Sequence, residues 1–480
     1  MTSRARRRKA RARERGVALV LVIGAITMMA TMFAEFQEET GAEFAAALSS
    51  RDSVQAEYNA RSALNLGRLI LSTEPTMRKG LAPIFIMMKR TPPQLPIWEY
   101  ADLLLGAFNS GDSADGFARV TSLDMTGAKN IGLKTGRFEL QIVDEDSKIN
   151  VNGGGSNVIA HMRLAQQLMA HMAPPNYNPL FEARDVNGDL HDRFTICSAI
   201  LDWADMDEQA FNCNMSAQGS VSGGIEDTYY ALLKKPYKRK NAPFDSLEEL
   251  RLVRGMSDRF WGTFIDPDPT NPKKRNLTVW GQGAINVNSA NAATILSIVC
   301  SGAVPNTELC TNPAQMASFV STVSMAKAFS MGAPLFGSPR EFINTLKGKG
   351  MLGPMLTGMG IKPVTFTSDS EFAKSLSTES KVFSIYAVGV AARTPKKKEG
   401  ETIIPAPTSS SDGPPPPPRP PPNEARIRVH AVIDMRPPDP SASGITTPPP
   451  ASTTSSSSAA TPLTAQSLAS GGQLVYFRIE

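Results

Sequence analysis

The chain begins polar and then turns apolar without interruption. Val17 to Ala34 is an apolar run of eighteen residues, just sufficient for a helix to span a hydrocarbon core, which takes about 20. From Glu35 to about Ser72 no proline occurs, and Phe44, Val54, Tyr58, Ala63, Leu66 and Leu69 recur among charged residues as an amphipathic helical continuation. Gly41 is its only glycine before Gly67, a cost of about 1 kcal/mol. The pattern predicts one helix of roughly 55 residues that starts in lipid and ends packed on a soluble body.

Beyond the helix the period changes. Gly116–Ser122 and Gly136–Asp144 read as strands; in the second, Phe138, Leu140 and Ile142 face inward and Arg137, Glu139 and Gln141 outward, a half-buried antiparallel strand. Residues 155–380 are predominantly helical in pattern, and strand character returns in 381–390, 425–433 and 473–479. The expected fold class is therefore α+β, with a helical domain inserted in a sheet whose strands lie on both sides of it. The expected division is 1–16 basic leader, 17–75 membrane and spine helix, 76–154 first strands, 155–380 helical insert and 381–480 returning strands. Two low-complexity tracts interrupt the last part: a Lys- then Pro-rich one at 394–423 and a Ser/Thr/Pro-rich one at 437–467, both expected to be disordered surface loops.

The helical part echoes itself. Ser147-Lys-Ile-Asn-Val-Asn152 and Gly283-Ala-Ile-Asn-Val-Asn288 share Ile-Asn-Val-Asn, and each precedes an alanine-rich stretch. Phe244-Asp-Ser-Leu-Glu-Glu-Leu250 and Phe336-Gly-Ser-Pro-Arg-Glu-Phe342 each place a serine three residues before a glutamate, a capping-box arrangement opening a helix. Two related helical subunits are expected.

Charge adds little to this picture until its placement is read. The net charge of +5 comes from the leader, whose Arg4, Arg6, Arg7, Arg8, Lys9, Arg11, Arg13 and Arg15 stand against one acid, Glu14; the remainder is about −2. A nucleic-acid partner is not expected. The basic cluster places the leader on the cytoplasmic side and the bulk of the chain outside. In such an exported chain the four cysteines fall into two sequence-local pairs, Cys197 with Cys213 and Cys300 with Cys310, that are candidate disulfides; free buried thiols are the alternative. No Cys-x-x-Cys occurs and the histidines at 161, 171, 191 and 430 are scattered, so a zinc site is not expected.

The richest acidic ground is Asp202-Trp-Ala-Asp205-Met-Asp207-Glu208, with Glu226 and Asp227 some twenty residues on. Hard oxygen donors clustered at loops suit Ca²⁺; a helix end carrying solvated acids is the plain alternative. Asp185-Val-Asn-Gly-Asp189 resembles an EF-hand loop only in part, since glycine is fourth instead of sixth and Ile196 stands where the twelfth-position glutamate belongs. No nucleophile-elbow, zincin or Walker motif is present, and no catalytic residue is assigned. Leu247–Met256 resembles half of a DNA-gripping helix-hairpin-helix, but the glycine pair is missing and Glu248, Glu249 and Asp258 surround it, which favours packing.

The join Arg15-Gly16-Val17 fits type IV prepilin processing, with cleavage after Gly16 and Val17 as the new N-terminus inside the membrane. An uncleaved single-span anchor is the alternative; no small-residue signal-peptide site follows the apolar run.

Taken together, Leu201-Asp-Trp-Ala-Asp205, Gly224-Ile-Glu-Asp-Thr-Tyr-Tyr230, Asn241–Gly255 and Leu277-Thr-Val-Trp280 with Ile285-Asn-Val-Asn288 resemble the K subunit of the type II secretion system, a minor pseudopilin. The resemblance runs from Gly16 to about Leu296 and stops before the Pro-rich and Ser-rich tracts. It implies a pilin-like fold with a large inserted helical domain and a place at the pseudopilus tip with the I and J minor pseudopilins and the major pseudopilin. It also implies processing by the prepilin peptidase, residence in the bacterial inner membrane with the bulk in the periplasm, and contact with secreted substrates or the secretin. For Ca²⁺ it implies Asp202, Asp205, Glu226 and Asp227, to which the sequence adds Asp207. Leu21, fifth after Gly16, takes the place where most pilins carry the glutamate that neutralises a neighbour's ammonium. The expected role is structural and non-enzymatic. The alternatives are a minor pilin of a type IV pilus or competence system binding DNA or a surface, and a membrane-anchored hydrolase using the Asp202 cluster.

Overall fold

A computed structural model describes residues 3–87, 91–101, 136–155, 158–182, 184, 190–214, 221–225, 228–330, 332–392, 424–436 and 472–480. The expected strand at 116–122, the Asp185–Asp189 segment and the tracts at 394–423 and 437–467 lie outside the described residues. The chain divides into two compact units: Met1–Arg61 with Gly132–Phe138 and Val388–Arg428, and Ser62–Ile131 with Glu139–Ala387 and Val429–Glu480.

Helix α1 spans Ser3–Met87 and so runs beyond the proline-free stretch, with Pro75 and Pro83 inside it. An interior proline loses a backbone hydrogen bond and costs about 3 kcal/mol. Anchors beside Pro75 offset that cost: the Glu74 carboxylate accepts from Leu95 N at 3.0 Å, and Arg78 pairs with Glu379. The later helices used below are α2 Val158–Met172, α3 Arg193–Ala204, α4 Ala292–Gly302, α5 Pro313–Phe329, α6 Pro339–Leu346 and α7 Gly353–Gly358.

The strands used below are β1 Arg137–Asp144, β2 Ile149–Asn150, β3 Leu277–Thr278, β4 Ile285–Asn286, β5 Leu376–Ser377, β6 Val382–Ala392, β7 Glu424–Asp434 and β8 Gln473–Ile479. Four of them form one sheet in the order β1-β6-β7-β8. β8 runs antiparallel to β7, from Gln473 opposite Asp434 to Ile479 opposite Val429. In β1 the alternation holds: Phe138, Leu140 and Ile142 are buried and Glu139 is exposed. Although β1 and β6 are neighbours in the sheet, residues 145–381 separate them along the chain.

In the first unit α1 meets β6 through small residues. Ala56 and Ala60 are wholly buried, and a Cβ added at Gly389 would lie 1.9 Å from Ala56 O and 2.4 Å from Ala60 N. Asn59 Nδ2 donates to Val390 O at 3.0 Å beside this contact. The second unit has its own helix contact, in which Gly67 faces Ile385 and Leu140.

Also in the second unit, the residues just after β1 are buried acids. Asp144 accepts from the hydroxyls of Ser289 and Ser380. Asp146 Oδ1 accepts from Gln282 N at 2.7 Å, and Oδ2 accepts from Lys381 N at 2.7 Å and Val382 N at 3.1 Å. Glu145 pairs with buried Lys148 at 3.1 Å and accepts from Thr278 Oγ1 at 2.6 Å. Three passages of the chain, around 144–148, 278–289 and 380–382, are thus tied at one buried point.

The two sequence echoes are two copies of one hydrogen-bond pattern. β2 pairs with β3 in parallel, and β4 with β5 likewise. Asn152 Nδ2 donates to Phe244 O and Val279 O while its Oδ1 accepts from Phe244 N. Asn288 Nδ2 donates to Phe336 O and Thr378 O while its Oδ1 accepts from Phe336 N. Glu249 Oε2 accepts from Asp245 N, as Glu341 Oε2 does from Gly337 N. The capping boxes differ: Ser338 Oγ accepts from Glu341 N at the start of α6, whereas Ser246 caps nothing and Leu247–Leu252 is a 3₁₀ segment. The DNA-hairpin resemblance of this segment has a packing explanation, since Leu247, Leu250 and Val253 are all buried.

Replacing Gly389 with valine is expected to destabilise the fold by about 3 kcal/mol through overpacking against backbone. Gly358→Ala, where nothing lies within 4 Å of the added carbon, is expected to leave the thermal midpoint within a degree or two of wild type, roughly ±0.5 kcal/mol. Thermal unfolding of both variants checks the pair.

Candidate functional site

Helix α3 carries the candidate acids to a tight turn. Its buried face is Ile196, Cys197, Ile200, Leu201 and Trp203, and Asp205 forms its C-cap. Cys197 is disulfide-bonded to Cys213 across the turn, and Cys300 to Cys310 at the end of α4. The turn is not a solvated helix end: Asp202 and Asp205 are buried, while Asp207 is exposed. Asp202 Oδ1 accepts from Phe211 N at 2.8 Å and Asp207 Oδ1 from Gln209 N at 2.8 Å. Asp205 Oδ1 is buried and accepts no hydrogen bond from any described residue.

Arg239 organises the turn from outside it. Its guanidinium donates to Asp202 O at 2.6 Å and to Asp207 O at 3.0 Å. Sequence reading missed it, because Arg239 stands in the run Lys238-Arg239-Lys240 and such a run reads as a solvated basic face. The signal that would have found it is the acidic turn itself, which needs a cation once it is buried.

Burial dominates the electrostatics. It pushes the Asp202 carboxyl up to about 7; the Phe211 N–H opposes the rise, Asp205 adds to it and Arg239 lowers it. Asp205 is pushed up to about 6, by burial first and Asp207 second, against Arg239. A cavity of about 330 Å³ opens beside Asp202, lined also by Ser198, Tyr229, Arg239 and Arg254. Two buried carboxylates, one of them with an unpartnered oxygen, fit a hard cation as part of its shell. No three His, Cys, Asp or Glu side chains converge on one point among the described residues. Glu226 and Asp227 lie outside the described residues.

The other candidate positions lie on α1. Gly16 and Val17 fall within the helix, with side chains outside the described residues. From Leu19 onward the apolar stretch is bare: Leu21 is 68% exposed, and Val20, Ile26, Met29 and Phe33 are similarly open. Among the described residues this is the one helix long and apolar enough to cross a membrane.

Residues 147–263, which include the acidic turn, its disulfide and Arg239, match the family model described as "Type II secretion system (T2SS), protein K". Over that stretch the chain is similar to type II secretion system protein K. The match agrees with the resemblance read at Leu201–Asp205 and Asn241–Gly255; the motif at Leu277–Asn288 lies beyond it. No curated protein matches the chain. Among solved structures, "The Crystal Structure of the GspK-GspI-GspJ complex from enterotoxigenic Escherichia coli Type 2 Secretion System" aligns over 81% of this chain and 93% of that one, at 14% identity and a TM-score of 0.38.

Raised carboxyl pKa values set the sign of a pH effect. Asp202 and Asp205 hold their protons more tightly folded than unfolded, so their contribution is full below about pH 4. It is lost as pH rises through about 6 to 7. In metal-free buffer, wild type is therefore expected to lose on the order of 2–4 kcal/mol relative to Asp202→Asn/Asp205→Asn between those limits. Denaturant unfolding of both proteins across that range measures the difference; parallel curves would refute it.

Proposed function

We propose that this protein is a minor pseudopilin of a type II secretion system, non-enzymatic, sitting at the pseudopilus tip. The observation that carries the reading is the protein K match over residues 147–263 in a chain whose N-terminal helix presents a bare apolar surface. In this role α1 and the four-stranded sheet serve as a pilin-like body, and residues 145–381 form a head inserted between β1 and β6. The prepilin peptidase cleaves after Gly16, and Val17 onward remains in the inner membrane with the bulk of the chain in the periplasm. The partners are I-type and J-type minor pseudopilins, as named for the GspK-GspI-GspJ complex, and the major pseudopilin. Through them the subunit primes assembly and supports export, with secreted substrates or the secretin beyond it.

Leu21 supports the terminal position. A carboxylate held in lipid costs several kcal/mol unless paired, and a leucine offers none to a neighbour's ammonium. A subunit without that carboxylate fits only where no neighbour requires it.

N-terminal sequencing of the membrane-extracted protein is expected to begin at Val17, and the protein is expected to co-purify with I-type and J-type subunits co-expressed with it. A start at Met1 together with a monomer that never associates with them would overturn the reading.

Ca²⁺ is proposed as a structural ion of the head, with Asp202 and Asp205 as buried donors and Asp207, Glu226 and Asp227 completing the candidate set. The ion would supply the positive charge that burial withholds from these carboxylates. Millimolar Ca²⁺ is expected to raise the thermal midpoint of the EDTA-treated protein, by an amount set by ligand excess over Kd. Mg²⁺ is expected to do so less, and Asp205→Asn to abolish the Ca²⁺ increment.

A further inference from the structure

Three passages of the chain meet at Asp144 and Asp146, and the groups that face the two carboxylates differ in kind. Asp146 is met only by backbone N–H groups, those of Gln282, Lys381 and Val382. An N–H donates and never accepts, so this carboxyl matches its surroundings as an anion. Asp144 Oδ1 accepts from Asp146 N at 2.9 Å, but its Oδ2 is met by two hydroxyls, those of Ser289 and Ser380. A hydroxyl donates or accepts, so Oδ2 can carry a proton and keep both contacts.

The two hydroxyls are not equivalent. Ser380 Oγ already accepts from Asn286 Nδ2 at 2.6 Å, which turns its own proton towards Asp144. Ser289 Oγ has no second partner among the described residues, and Ser289 is half-buried beside a cavity of about 360 Å³ that Gln94, Asn286 and Lys327 also line. It can accept a proton from Asp144 on one side and release its own on the other.

No cation neutralises the pair directly. Both acids are buried, at 4% and 2% exposure. Three cations face them, and each is engaged elsewhere: Lys148 with Glu145, Arg436 with Asp434, and Lys327 with the carbonyls of Asn288 and Ala290. Of the remaining acids nearby, Glu99 faces Lys327 and Glu379 pairs with Arg78. Two neighbouring carboxyls in a dry site do not both ionise cheaply. Burial first and Asp146 second raise the Asp144 carboxyl to about 7, against the hydroxyls of Ser289 and Ser380 and the Asp146 N–H.

We propose that Asp144 carries the single proton of this pair, bonded to Ser289, and that the joint so closed is a pH-sensitive clamp on residues 149–378. When the Asp144 O–H bond breaks, Ser289 Oγ takes that proton as it gives its own to water in the cavity. The two carboxylates then repel across a dry site, and the hold of Asp146 on Gln282, Lys381 and Val382 loosens. The helical region is thereby fixed to β1 and β6 firmly at acid pH and less firmly from neutral pH upward. The inference does not depend on the assignment as a pseudopilin, since it rests on this joint alone.

The test uses the full chain in phospholipid nanodiscs, carrying Asp202→Asn/Asp205→Asn so that those raised aspartates are silent. Infrared spectra are expected to show, at about pH 6, a protonated-carboxyl C=O stretch that moves on ¹³C labelling of aspartate and is gone by about pH 8. Amide hydrogen exchange reads the joint itself. The exposed acid gives up its proton near its ordinary value of 3.8 and the buried one near 7, so the clamp is full below about pH 4 and lost by about pH 7. Corrected for intrinsic exchange, opening at Gln282, Lys381 and Val382 is expected to grow about tenfold per pH unit across that window and then level off. Asp144→Asn, which keeps a donor where the acid has its proton, is expected to remove both that slope and the infrared band. A slope unchanged in Asp144→Asn overturns the proposal, and so does a band that persists in it, which would put the proton on another aspartate. Absence of the labelled band at about pH 6 overturns it as well, and that measurement needs no change at Asp144.

Discussion

The second unit depends on a buried carboxylate that binds distant parts of the chain together. Asp146 accepts backbone N–H groups from Gln282, Lys381 and Val382, and its neighbour Asp144 takes hydroxyls from Ser289 and Ser380. These donors lie at the start of the second repeat and at the return into β6, while the acids themselves end β1. One cluster therefore fixes where the helical region departs, where its halves join and where it returns. Such an arrangement is costly, because two acids share a dry site: burial, with Asp146 close by, pushes the Asp144 carboxyl up to about 7. The cost is offset by geometry, since every oxygen of the two carboxylates accepts at least one hydrogen bond. Removing one donor would leave a desolvated acceptor, which is worse than never having buried it.

The repeats hang from that cluster and show how one scaffold can diverge. The asparagines at 152 and 288 hold equivalent loops with equivalent bonds, so the frame is the same. The difference lies in the connection that precedes Phe244 in one copy and Phe336 in the other. The long one in the first repeat carries the disulfide to Cys213, Arg239 and Tyr230, which packs on Trp203, and with them a buried acidic turn. The short one in the second leaves an open apolar groove. The buried acidic turn and the apolar groove thus accompany connections of different length.

Much of the scaffold was legible because it obeys simple periods. The alternation in β1 and the apolar runs of β6, β7 and β8 locate the sheet, and the repeated Ile-Asn-Val-Asn locates the duplication. What escaped reading is what depends on distant partners. Asp144 and Asp146 look like a polar strand end, since nothing nearby in sequence announces Lys381 or Ser289. Gly389 sits inside Val-Gly-Val as an ordinary strand glycine, and only the close approach of Ala56 and Ala60 makes a side chain there impossible. The prolines at 75 and 83 argue for a helix end by local rule, yet Glu74 and Arg78 find partners that hold the helix through the first of them. Of the acidic turn, the sequence disclosed the residues but not their burial, and burial decides their chemistry.

The apolar stretch of α1 carries the asymmetry on which the proposed role turns. Between Val17 and Ala34 there is no ionisable side chain, and the first acid beyond it is Glu35. If Val17 is the mature N-terminus, the only charge in that stretch is its own ammonium, which a neighbour's carboxylate can neutralise. The reverse pairing is impossible, because no carboxylate of this chain reaches a neighbour's amine at that depth. In a filament built by repeating one pairing, a subunit that can accept it from one side and cannot pass it on from the other has a defined place, at an end. On the proposed role, Leu21 is the position that bars onward pairing within the apolar stretch.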